Sequence, residues 1–149
     1  MIEILMYVGI VMIIFTFSFL TVYQILDSRN RVKNQREVAE TQKFIIQKMY
    51  WVLQNNSAIN SPAASATSTS ISVNKLSGVT NPLVVSWGSG NIYLKEGAGQ
   101  QVALTNNIAT SSNVIFTHYN FSGHDFIRLQ AVVGNATASS TIDTTIFVK

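Results

Sequence analysis

Residues Ile2 to Leu26, IEILMYVGIVMIIFTFSFLTVYQIL, carry one formal charge, Glu3, and decide how the rest of the chain is read. From Ile4 to Leu26 no charge interrupts the run. As a helix rising ~1.5 Å per residue it spans ~35 Å, enough for a hydrocarbon core of ~30 Å. A cleaved secretory signal would have a basic n-region, a shorter apolar core and a small-residue cleavage site, and these are missing. A helix buried in a soluble core would need a second segment apolar enough to wrap it, and none follows. The stretch therefore reads as a transmembrane segment in contact with the lipid bilayer.

Glu3 admits two readings. At the membrane surface it sits in the first helical turn, where the positive end of the helix dipole favours a carboxylate. Inside the bilayer it would cost roughly 3 kcal/mol on insertion scales and would call for a cationic partner.

Beyond the apolar segment about 120 residues remain, enough for one modest core. The net charge of +3 is concentrated just after residue 26, in Arg29, Arg31, Lys33 and Arg36. Such a cluster suits anionic lipid head groups. A nucleic-acid partner is not expected, because the C-terminal part carries no basic stripe. There is no cysteine, which leaves the redox compartment open.

No Gly or Pro occurs between Ile10 and Gln54, so one continuous helix is predicted, apolar to residue 26 and amphipathic over 27–54. Val38, Ile45, Met49 and Val52 or Leu53 recur at helical spacing, with Ala39, Ile46 and Tyr50 widening the stripe. On the polar side, Glu40 is placed to pair with Lys43 three residues on. Residues 55–70, NNSAINSPAASATSTS, break the periodicity and read as a Ser/Thr/Asn-rich linker.

From residue 71 to 149 the signals are β. Leu83–Trp87 and Asn91–Lys95 flank a Gly88-Ser89-Gly90-Asn91 turn, as in a hairpin. A turn over Glu96–Gly99 leads to Gln101–Thr105. Three longer strands, Val114–Phe121, Phe126–Val133 and Thr141–Val148, are separated by Ser122-Gly123-His124-Asp125 and by Gly134–Ser140. Ile127, Leu129, Ala131 and Val133 alternate with Arg128, Gln130 and Val132, the pattern of a sheet with one wet face. The expected fold class is α+β: a long N-terminal helix whose outer half packs on a C-terminal antiparallel β-sheet.

The string Met1-Ile2-Glu3-Ile4-Leu5-Met6, leading into an uninterrupted apolar helix, resembles the start of mature type IV pilins and type II secretion pseudopilins. The layout of helix, hairpin, short strand and long strand (Gly90–Lys95, Val102–Thr105, Val114–Thr117) is similar to minor pilins and J-type pseudopilins. The absence of Pro in residues 1–26 and of a C-terminal disulfide pair departs from many major pilins. The resemblance implies a structural subunit that assembles through its N-terminal helix, with Glu3 pairing with the charged N-terminus of a neighbouring subunit. It implies that two mature residues and a short basic leader ending Gly-Phe-Thr, the leader being read by a prepilin peptidase, stand ahead of Met1. The partners it implies are other pilin or pseudopilin subunits and the inner-membrane assembly platform. It also implies a single pass of the inner membrane with the C-terminal domain extracytoplasmic, in a surface pilus or periplasmic pseudopilus. The positive-inside rule applied to residues 29–36 alone points the other way; the family's leader carries the competing charges.

An enzyme is not expected. His118, His124 and Asp125 lie within eight residues, but no acidic cluster stands by to complete and support the three or four ligands a metal site needs, and carboxylates for calcium are too few. No metal or cofactor is expected. Trp87-Gly88-Ser89-Gly90 lacks the first glycine of a nucleophile elbow, and no phosphate or dinucleotide loop occurs. Asn55, Asn120 and Asn135 begin Asn-x-Ser/Thr sequences, expected by chance in so Ser/Thr-rich a chain. Trp87, Tyr93, Phe116 and Phe147 read as core or sheet-face residues. The competing functional reading is a monomeric, membrane-anchored extracytoplasmic binding domain whose helix is only a tether.

Overall fold

The computed structural model describes residues 2–77, 80–105 and 109–148. Met1 of the pilin-like string and residue 149 of the expected β domain lie outside them. By its internal contacts the chain forms two units, residues 1–34 and 35–149.

The first unit is helix throughout its described length and forms the start of α1, Ile2–Leu53. Its side chains are exposed up to Lys33. The absence of helix breakers after Gly9 lets α1 run on, and its end has a local cause. Asn55 adopts the left-handed conformation (φ 54°) and its carbonyl accepts from Leu76 N–H. This is the αL termination that Asn tolerates better than most residues.

The second unit holds the rest of α1 and, among the described residues, nine strands: β1 (Asn56–Ser61), β2 (Thr67–Ser68), β3 (Ser70–Lys75), β4 (Leu83–Gly88), β5 (Asn91–Glu96), β6 (Gln101–Ala103), β7 (Thr110–Phe121), β8 (His124–Gly134) and β9 (Ser139–Phe147). The expected single sheet is in fact two antiparallel sheets, ordered β1-β3-β4-β5-β6 and β2-β7-β8-β9. The predicted linker over 55–70 contains β1, paired with β3, and β2, paired with β7. Polar strands at sheet edges have no apolar alternation to betray them, which is why composition alone reads them as loop.

Both sheets and the helix share one core. Helix α1 contributes Val38, Ile45, Met49, Val52 and Leu53; the five-stranded sheet contributes Ile71, Val73, Leu83, Val85, Ile92 and Leu94; the four-stranded sheet contributes Val114, Phe116, Ile127, Leu129, Ala131, Val133, Ile142 and Ile146. The helical stripe is narrower than predicted: Ile46 is partly buried, while Ala39 and Tyr50 face solvent. Glu40 pairs with Arg36, at 2.9 Å, rather than with Lys43. Four residues of spacing put those two groups on the same helical face.

Two-residue turns with both φ positive, Ser89-Gly90 and Ser122-Gly123, close the β4–β5 and β7–β8 hairpins, matching the right-handed twist of the flanking strands. His124 and Asp125 therefore belong to β8 and not to the turn. A bulge between Ser112 and Ile115, with Asn113 at φ 51°, lets Ser111 and Phe116 face inward despite their odd and even positions. The sheets are joined where Thr69 links β2 to β3 and where Trp87 donates from its indole N–H to Ser111 O at 3.0 Å.

The C-terminal end of α1 has no basic residue in its last turn, and β3 supplies one. Lys75 Nζ donates to Trp51 O at 2.5 Å and lies 4.0 Å from the Trp51 ring centroid. Burial pushes the Lys75 ammonium below its ordinary pKa, opposed by attraction to Glu96. The ammonium lies beside the negative end of the helix dipole and unpaired carbonyls, whose attraction offsets part of the cost of burying it.

Candidate functional site

Three places in the chain hold the residues that sequence reasoning or geometry marks out. The first is the opening half of α1. Its exposed side chains include Ile4, Leu5, Met6, Met12, Phe15, Phe17, Phe19 and Leu20. The Ser and Thr hydroxyls within it are satisfied by the helix itself: Thr16 donates to Met12 O, Ser18 to Ile14 O and Thr21 to Phe17 O, at 2.8–2.9 Å. Such i−4 bonds remove the need for water around a Ser or Thr in an apolar medium. Glu3 lies in the first turn and is exposed. Further along, the basic cluster is partly neutralised within the helix, because Arg31 pairs with Asp27 at 3.0 Å and Arg36 with Glu40.

The second is the β7–β8 hairpin. Of the three residues His118, His124 and Asp125, His118 and Asp125 meet and His124 does not. His118 is buried in β7; its Nε2 lies 2.9 Å from Asp125 Oδ1 and its Nδ1 2.9 Å from Pro62 O. Asn120 Nδ2 also donates to Asp125 Oδ1, at 2.7 Å. These bonds, Asn120 first and His118 second, hold the Asp125 carboxyl below its ordinary pKa. Both ring nitrogens of His118 face oxygen acceptors; the neutral ring can donate to one of them and the imidazolium to both. Backbone bonds Ser65 N–H to His118 O and His118 N–H to Ala66 O complete the contact. The arrangement clips residues 62–66 onto β7. His124 projects from the opposite face, edge-on to Phe147 at 5.6 Å. Among the described residues no group of three His, Cys, Asp or Glu is placed to hold a metal ion.

The third was not singled out from sequence. On the outer face of the four-stranded sheet, cross-strand pairing brings Tyr119 beside Phe126 and Phe126 beside Phe147. Phe121 is 74 %, Phe147 46 % and Tyr119 43 % exposed, more than a solvated sheet face needs. Next to them Arg128 makes a two-pronged ion pair with Asp143, Nε to Oδ1 at 2.7 Å and Nη2 to Oδ2 at 2.6 Å, with Gln130 also donating to Asp143. The pair raises the Arg128 pKa and lowers that of Asp143. The signal was available: Tyr119, Phe121, Phe126 and Phe147 occupy the register positions that alternate with core residues.

The fold and these sites define an α+β protein whose N-terminal helix is long and apolar enough to cross a membrane. Comparison with family models, with characterised proteins and with solved structures finds no match to this chain.

Proposed function

We propose that this chain is a structural subunit, of the minor type, in a type IV pilus or type II secretion pseudopilus, and that it assembles through its N-terminal helix. The observation that carries the reading is the fully exposed apolar surface over Ile2–Leu26 with one acid in its first turn. Large apolar side chains exposed in such a run need a non-aqueous neighbour. The bilayer supplies it before assembly, and the helices of other subunits supply it afterwards. In that apolar bundle an unpaired terminal ammonium is costly, and the Glu3 carboxylate of a neighbour offsets the cost. The reading brings with it a prepilin peptidase, an inner-membrane assembly platform and an extracytoplasmic β domain.

The test is to express Glu3→Gln and Glu3→Ala chains in a host with the full assembly machinery and to measure their recovery in sheared filaments relative to the membrane fraction. Gln keeps the shape and loses the charge, so it isolates the electrostatic contribution. We expect both variants to fall at least tenfold, about 1.4 kcal/mol, with the melting curve of the β domain unchanged. Wild-type incorporation of both variants overturns the assembly role of Glu3.

The exposed aromatic face around Phe121 and Phe147 favours a second reading, a tethered binding domain. Under it the chain stays monomeric in the membrane and Glu3 is dispensable.

A further inference from the structure

We propose that Asn135, alone among the three Asn-x-Ser/Thr sequences, is an acceptor for N-linked glycosylation by an oligosaccharide carried on a lipid diphosphate. The sequence treats the three positions alike. Their geometry separates them.

Asn135 opens the turn between β8 and β9, with Ala136 and Thr137 exposed. Its Oδ1 accepts three hydrogen bonds, from Thr137 N–H at 3.0 Å, Thr137 Oγ1 at 3.2 Å and Ala138 N–H at 2.8 Å. The main chain closes the turn through Asn135 N–H to Ala138 O at 2.7 Å. Among the described residues no acceptor takes up Asn135 Nδ2.

That pattern bears on reactivity. A carboxamide nitrogen is a poor nucleophile because its lone pair is delocalised into the carbonyl. Loss of a proton gives an imidate whose charge rests largely on oxygen, and donors already aimed at that oxygen stabilise it. In the transfer, Nδ2 gives one proton to a base of the transferase and forms a bond to the sugar C1. The C1–O bond to the diphosphate breaks, and the lipid diphosphate leaves with that electron pair.

The other two sequences lack this arrangement. Asn120 lies within β7 and its Nδ2 is engaged, donating to the Asp125 carboxylate at 2.7 Å. At Asn55 the hydroxyl that should serve the asparagine is turned away, since Ser57 Oγ donates to Asn74 O at 3.0 Å from within β1. Asn55 itself ends α1 in the left-handed conformation.

The inference stands whether the chain is a filament subunit or a tethered domain. The test uses the full chain in detergent, a single-subunit oligosaccharyltransferase that requires only Asn-x-Ser/Thr, and a lipid-diphosphate-linked oligosaccharide, with occupancy read by peptide mass spectrometry. Three synthetic peptides, one spanning each sequence, serve as unfolded acceptors and show that the transferase accepts all three. On the folded chain we expect Asn135 to be occupied at least tenfold more than Asn55 or Asn120. Asn135→Gln removes the modification and Thr137→Ala reduces it at least tenfold, while Thr137→Ser, which keeps the hydroxyl, retains it. A folded chain left unmodified at Asn135 while its peptide is modified overturns the proposal. So does comparable occupancy of Asn55 or Asn120.

Discussion

Replacing Lys75 tests whether a β-strand caps the helix. Lys75 is 9 % exposed, and its ammonium reaches Trp51 O and the Trp51 ring at the end of a helix with no basic residue in its last turn. Lys75→Met keeps most of the stem packing and deletes the ammonium. It leaves the Trp51 carbonyl without that donor, a loss of about 1–3 kcal/mol, and returns part of the ammonium's desolvation cost. The two oppose each other, and we expect a net destabilisation of about 1 kcal/mol. Lys75→Ala also removes about three buried methylenes at ~0.8 kcal/mol each, bringing the loss to about 3 kcal/mol. The assay is urea unfolding of residues 27–149, followed by far-ultraviolet circular dichroism.

The pH dependence supplies a second reading of the same site. The folded Lys75 gives up its proton at a lower pH than the unfolded residue, whose ordinary value is 10.5. Between those two values the unfolded chain binds more protons, so this group makes stability rise with pH. The gap between wild type and Lys75→Met should therefore widen as the pH approaches 10.5. Equal or greater stability of Lys75→Met at neutral pH would refute the cap, because the ammonium would then be a net cost. A gap that narrows towards pH 10.5 would refute the assigned effect of burial.

Two further substitutions probe the β unit. Gly97 has φ +52°, and an added Cβ would come within 2.5 Å of Thr80 Cγ2; Gly97→Ala should lower stability by about 2 kcal/mol, read from the same urea transition. Asp125→Ala leaves the buried His118 ring and the Asn120 amide without their shared acceptor, and should cost about 1–2 kcal/mol at neutral pH. Because the Asp125 carboxyl is held below its ordinary value, its contribution is present above about pH 4 and is lost as the pH falls through the folded value. The gap between wild type and variant should narrow as the pH falls below about 4, and a gap that stays constant from neutral to acid pH would show that the carboxylate charge is not what matters.

The helix and the long strands were legible because their cause is local. The run Ile2–Leu26 needs only a count of charges, and the continuity of α1 needs only the absence of Gly and Pro. The alternation of Ile127, Leu129, Ala131 and Val133 names the buried face of β8 without reference to any partner. The division into two sheets was not legible, because Asn56–Ser61 and Thr67–Ser68 carry no apolar periodicity. Their strand character comes from ladder bonds to β3 and β7, partners that exist only once the chain has folded. The pairing of Asp125 with His118 rather than His124 followed from the two-residue turn at Ser122-Gly123, which sets the register and so the face on which each side chain projects. The choice among three equivalent Asn-x-Ser/Thr sequences, and the capping of α1 by Lys75 from another element, were likewise decided by tertiary contacts. A residue's type fixes which bonds it can make, and its neighbours in space decide which of them it does make.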